Sequence, residues 1–199
     1  VKRAVGADRA ARTLRRLGEA AEAFEHDRFD DARRVLTPLA REAPEVAEIR
    51  ELHGLTLYRM GKWAPAAAEL EAFREMSGSA EQHPPLMDCY RALGRMADVD
   101  DLYEELKQVS PSAPIVTEGR IVVAGCHADR GDVQGAIRIL EQGWRMPKLP
   151  AIHHLRRAYA LADMYERTGQ AVKARELFRW VAGHDRDFAD VRQRVHQLG

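Results

Sequence analysis

The chain has no run of 18 apolar residues, so none of its 199 residues reads as part of a membrane-spanning helix. It also lacks glycine-rich phosphate loops, the HExxH zinc helix, the GxSxG nucleophile elbow and the CxxC pair. The usual sequence marks of nucleotide, metal and nucleophile chemistry are therefore missing. Cys126 and His127 are adjacent, and helix neighbours diverge by about 100°, too far for a thiolate–imidazole pair. His153 and His154 open a helix after Pro150. As neighbours they are expected to point apart, and no Cys, Asp or Glu follows at i+3 or i+4 to complete a metal site. Carboxylates are too numerous for any acid/base pair to stand out. No cofactor, no metal and no enzymatic activity are expected.

Cysteine and lysine are scarce. The two cysteines, Cys89 and Cys126, read as free buried thiols in a reducing cytosol. The opening seven residues lack the apolar core of a secretory signal, so the expected location is cytoplasmic. Only 5 lysines stand against 26 arginines, which with the many alanines points to the codon bias of a GC-rich bacterial genome rather than to nucleic acid. Net charge is zero but unevenly laid out. Residues 1–16 hold six basic and one acidic side chain, 17–149 hold 16 and 24, and 150–199 hold nine and six. Basic ends flank an acidic middle.

What the chain does have is a period. Ala32 and Ala66 are 34 residues apart, and Gly61, Gly94, Gly131 and Gly169 follow one another at 33, 37 and 38. Five units emerge, roughly 13–46, 47–79, 80–113, 117–149 and 155–186. Each has a residue where two helices would cross: Ala20, Gly54, Ala124 and Ala162, with the bulkier Met87 in the third. After the turn come Phe29, Trp63, Met96, Val133 and Ala171. Ala32, Ala66, Val99, Ala136 and Ala174 then precede by four residues Leu36, Leu70, Tyr103, Leu140 and Phe178. Small side chains let antiparallel helices approach, and large ones at i+4 fill the groove of the next pair. Glycine supplies the positive φ that ends a helix.

The ends read as caps. Ala10, Leu14, Leu17, Ala21 and Phe24 form a stripe that predicts a first helix over 8–26. Phe188, Val191, Val195 and Leu198 predict a capping helix over 187–198, with Asp190, Arg192, Gln193, Arg194 and Gln197 on its polar side. Pro84 and Pro85, and Pro147 with Pro150, are expected to mark the loosest linkers. The third unit, opening on the Pro-Pro pair, is expected to have the shortest first helix.

In period and residue types the stretch 55–73, with Gly61, Trp63 and Ala66, resembles the tetratricopeptide repeat (TPR). The resemblance runs from about residue 13 to 199, and Gln82-His83-Pro84 with Asp88 to Gly94 is similar to TPR proteins of high-GC actinobacteria. It implies an all-α, helical-hairpin solenoid of about five repeats with a C-terminal capping helix. This would be a single domain over 1–199, with 1–7 a flexible basic tail. It also implies that first helices line a concave groove holding a peptide or helix of another protein. Transferred by position, the groove residues are Leu17, Ala21 and Phe24, then Glu48, Glu51, Leu55, Tyr58 and Arg59. Glu81, Asp88 and Arg91 follow, then Glu118, Ile121, Gly125 and Asp129, and finally Arg156, Tyr159, Asp163, Glu166 and Arg167. One TPR subclass grips a chaperone carboxylate with lysine, asparagine and arginine. Leu17 and Ala21 stand where its first lysine and asparagine would be, and Leu52 where the next asparagine would be, so chaperone binding is not carried over.

The leading functional expectation is a protein-interaction adaptor. Glu48, Glu51, Glu81, Asp88, Glu118 and Asp129 face only Arg59 and Arg91 among the groove residues of the middle repeats. A wall of one sign concentrates partners of the other, so a basic segment with aliphatic anchors is expected. Two alternatives stay open: a nucleic-acid-associated factor using the basic ends, which the acidic middle disfavours, and a self-associating structural protein.

Overall fold

The computed structural model describes residues 7–109 and 111–199. Among them are eleven helices and no strand. They are α1 (Ala7–Glu25), α2 (Phe29–Glu42), α3 (Ala47–Arg59), α4 (Trp63–Ser77), α5 (His83–Ala92), α6 (Met96–Val109), α7 (Ala113–Asp129), α8 (Val133–Glu141), α9 (Ile152–Arg167), α10 (Ala171–His184) and α11 (Val191–Gln197). The chain divides into two compact units, 1–98 and 99–199, the boundary falling in the first turn of α6. Of the basic tail, residues 1–6 lie outside the described residues, and Ala7 opens α1.

Every hairpin closes in one way. Gly61 N–H donates to Tyr58 O and Lys62 N–H to Leu57 O, both at 2.9 Å, and the same two bonds recur at Gly94/Arg95, Gly131/Asp132 and Gly169/Gln170. The four glycines have φ from 68° to 85°, the left-handed cap that only glycine adopts without strain. The first hairpin makes the same closure at Asp27, φ 57°. Asp tolerates this region better than most residues, so the glycine ladder begins one repeat late.

The ladder of small and large residues is the core. Ala32, Ala66, Val99, Ala136 and Ala174 are fully buried, as are Leu36, Leu70, Leu140 and Phe178, with Tyr103 close behind. A Cβ on Gly54 would stand 2.7 Å from Leu70 Cγ and 3.2 Å from Leu70 N, so α3 and α4 touch only because nothing is there. In unit 1, Leu36, Leu39, Val46 and Ile49 close over Ala20 and Ala23. In unit 2, Leu140, Leu161, Phe178 and Val181 close over Ala136, Ala158 and Ala162. Each such fully buried large side chain stabilises the fold by about 1.5–3 kcal/mol.

Some expectations are corrected. Pro84 and Pro85 sit in the first turn of α5 rather than in a linker, where a missing N–H costs nothing. At 10 residues α5 is the shortest first helix. Pro147 and Pro150 do fall in the irregular segment 142–151. The buried side of α1 is Ala10, Thr13, Ala20 and Ala23, while Leu14 is 46% exposed. The terminal helix covers only Val191–Gln197, with Phe188 in the turn before it. No helix of the described residues is long and apolar enough to cross a membrane.

Candidate functional site

The face in question begins on α3, where Glu48, Glu51, Leu55 and Tyr58 recur every three or four residues and so share one side of the helix. Two bonds tie that side to the next repeat. Gln82 Nε2 donates to Glu51 Oε1 at 2.8 Å, and Tyr58 OH donates to Asp88 Oδ2 at 3.0 Å. Arg91 Nη1 lies 3.4 Å from Asp88 Oδ1, and the Tyr58 ring meets Trp63 edge-on at 5.7 Å. Arg59 is turned aside. Its Nη2 pairs with Asp27 at 2.8 Å and its guanidinium lies 4.5 Å over Phe29, so it bolts α3 to the first turn. Glu48 and Glu81 are exposed and have no ion pair among the described residues. Glu81 stands in the turn ahead of α5 rather than on a helix.

On α1, Leu17 and Ala21 are half-buried, and Phe24 packs edge-on against Phe29 at 5.5 Å. Leu14 belongs with them, three residues before Leu17 and well exposed. The sequence places Leu14 in the stripe that predicts α1 but not among the groove residues, although its i−3 relation to Leu17 puts it on this face.

The back of α3 is held by a polar cluster. Arg50 Nη1 donates to Glu69 Oε2 at 2.8 Å, His53 Nδ1 lies 3.2 Å from Glu69 Oε1, and Thr37 Oγ1 is 3.3 Å from His53 Nε2. Burial alone would raise the Glu69 pKa, but His53 and Arg50 outweigh it and hold the carboxyl below its ordinary value. Behind Asp88, burial and then the Asp88 charge push the Cys89 thiol up to about 12, leaving it protonated and inert. Cys89 and Cys126 are both buried, and among the described residues neither is in a disulfide.

In unit 2 the corresponding carboxylates are engaged. Glu118 Oε2 pairs with Arg156 at 3.0 Å, and Ile121 packs partly into the core. Gly125 is half-buried, and Asp129 and Arg167 are exposed at the ends of α7 and α9. Tyr159 OH donates to Asp190, and its ring lies 5.4 Å from Phe178 and 5.6 Å from Phe188. Burial, then Asp190, pushes that hydroxyl up to about 12. Arg194 of α11 reaches Asp163 at 3.0 Å and Glu166 at 2.7 Å. Tyr159, Asp163 and Glu166 thus hold the terminal helix. Arg194, expected on its polar outer side, points inward to them.

No family model matches the chain, and no curated protein does. Solved structures do. A thermophilic TPR protein of Thermus thermophilus superposes with a TM-score of 0.69 at 17% identity, covering 94% of this chain and 98% of that one. PilF of Pseudomonas aeruginosa gives 0.68 at 11%, covering 96% and 90%. TPR-like repeats of a putative kinesin light chain from Podosopora anserina give 0.65 at 19%, covering 88% and 97%. At such identities the likeness shows the fold: an all-α, TPR-like helical-hairpin solenoid.

Proposed function

We propose that the protein is a non-catalytic interaction scaffold that binds a basic segment of another protein along the first-helix face of unit 1. The observation that carries this is the pair Glu48 and Glu81, exposed and without countercharge among the described residues. Half-buried Leu55 and Tyr58 continue the side of α3 on which Glu48 lies, and Leu14, Leu17 and Ala21 form an apolar stripe on α1. Carboxylates beside apolar anchors suit a lysine- or arginine-bearing helix with aliphatic side chains. In unit 2, Glu118, Asp163 and Glu166 already have arginine partners, so that face contributes less. The TPR-like fold of the neighbours supports a scaffold role in general. A cytoplasmic setting in a high-GC actinobacterium belongs to the same proposal, supported by two buried thiols outside any disulfide and by the arginine excess.

Glu51 and Asp88 both accept hydrogen bonds that join α3 to the third repeat, so reversing them would disturb the fold. Glu48→Lys with Glu81→Lys avoids that. A synthetic helical Lys/Leu peptide should bind the wild type with an affinity that falls as salt rises. The double variant should bind it several-fold more weakly at an unchanged melting temperature. Equal affinity for wild type and variant at low salt would sink the proposal. Binding only to an oligonucleotide, or dimerisation with no peptide binding, would favour the two alternative functions.

A further inference from the structure

Unit 2 contains a cavity of about 220 Å³ lined by the N-terminal turns of α7 and α9 and by the segment that follows α8. Thr117, Trp144, Arg145, His153, His154 and Arg157 form most of its wall, and no carboxylate lines it. The positive charge there is unbalanced. Arg120 Nη1 and Arg157 Nη2 both donate to Gln142 O, at 2.9 and 2.6 Å, so two guanidiniums converge on one carbonyl. Arg157 Nε donates to Leu140 O at 2.9 Å, leaving Nη1 without an acceptor among the described residues. Its guanidinium lies 5.4 Å from the centre of the Trp144 ring. Burial, then Arg120, presses the Arg157 pKa down to about 10, which leaves it charged at neutral pH.

Uncharged donors complete the wall. The Ala151 N–H donates to His154 Nδ1 at 3.0 Å, so the neutral ring carries its proton on Nε2. The centre of the His153 ring lies 3.9 Å from that of His154, with the ring planes tilted by 36°. The two do not point apart as expected, because His154 turns back to cap the helix. Burial and then His154 hold the His153 pKa down against Glu118. Thr117 is 9% exposed and lines the cavity, yet its hydroxyl has no hydrogen-bond partner among the described residues. With no acceptor among the described residues taking its proton, that hydroxyl can donate to a group held in the cavity that Thr117 lines.

We propose that this cavity binds a phosphate group, free or as a monoester. Phosphate offers about −1.5 to −2 charges and three acceptor oxygens, against the two oxygens and one charge of a carboxylate. Arg145 and Arg157 supply two full charges, and Thr117 of α7 with His154 Nε2 and Arg157 Nη1 of α9 supply donors from two elements. A small-molecule ester and a phosphorylated side chain present the same chemistry to these donors.

The test is titration of the full chain with inorganic phosphate at neutral pH and low ionic strength, read by NMR at the His154 ring and the Thr117 amide. Saturable shifts are expected, and acetate at equal concentration should produce none. Arg145→Ala, which alters an exposed side chain, and Thr117→Val should each weaken binding several-fold at an unchanged melting temperature. Glycerol phosphate and a phosphoserine peptide then separate the two sources, since whichever exceeds inorganic phosphate in affinity identifies the ester. Absence of saturable shifts, equal shifts with acetate, or indifference to both substitutions would overturn the proposal.

Discussion

The two units place carboxylates on or just ahead of their first helices and use them differently. In unit 1, Glu48 and Glu81 are unpaired among the described residues, and Glu51 takes only the amide of Gln82. In unit 2, Glu118 has Arg156, and Asp163 and Glu166 share Arg194. Repeat position therefore decides where a charge is placed, whereas its availability depends on what the next element brings opposite it. The pairs also differ in strength. Arg156 and Glu118 have side chains 54% and 30% exposed, and exposed pairs contribute no more than about 1 kcal/mol. Arg194 and its two α9 partners are only about a quarter exposed and act as a network, so they resist displacement better.

The largest expected effect tests whether the units are energetically separate. Gly54→Leu should destabilise by about 3 kcal/mol, at the upper end for overpacking, because the clash includes the Leu70 backbone. If 1–199 is a single cooperative domain, denaturant unfolding keeps one transition at lower midpoint. A first transition confined to unit 1, seen by hydrogen exchange, would break that view.

Glu69→Gln comes next, at about 1.5–3 kcal/mol for losing charge-assisted hydrogen bonds. The folded carboxyl has a pKa below its ordinary 4.5, so its contribution is present above that value and is lost as pH falls through the lowered folded pKa. The stability difference between wild type and variant, measured by chemical denaturation, should be full at neutral pH and shrink in acid. A difference constant with pH would remove the ionic explanation.

Arg194→Ala should cost about 1–2 kcal/mol, discounted for partial exposure, and should speed proteolysis between α10 and α11. It also exposes Tyr159, Asp163 and Glu166. Unit 2 should then gain affinity for the Lys/Leu peptide, erasing the contrast between the units. No gain would mean that ion pairing is not what makes them differ.

The smallest effect has the opposite sign. Gly18 lies on α1, and a methyl group there would meet nothing within 4 Å, so Gly18→Ala should raise stability by about 0.5–1 kcal/mol. Thermal melts of Gly18→Ala and Gly54→Ala side by side would show whether steric room, rather than glycine itself, separates the two sites.

The hairpins were legible because their information is local. Turn glycines, crossing residues and the alanine-to-leucine spacing act within one helix or between consecutive ones, and each occupies its expected place, from Gly54 against Leu70 to Phe178 in the unit 2 core. Asp27 was missed because Asp seldom adopts positive φ, and Pro84 with Pro85 because proline both ends a helix and begins one. The face of α1 was half legible: the stripe was found, but which of its residues would be covered depended on α2 and α3.

The sequence by itself determined the all-α hairpin architecture and the side of each first helix on which its polar residues lie, since both follow from a three-to-four-residue period. Only the tertiary structure decided which of those residues remain free. Tyr58 and Asp88 are 30 residues apart, Tyr159 and Asp190 31, and Asp163 and Arg194 31. At such separations partners are chosen by how neighbouring helices sit. A side chain with several carboxylates in reach, such as Arg194, then takes those that packing presents to it.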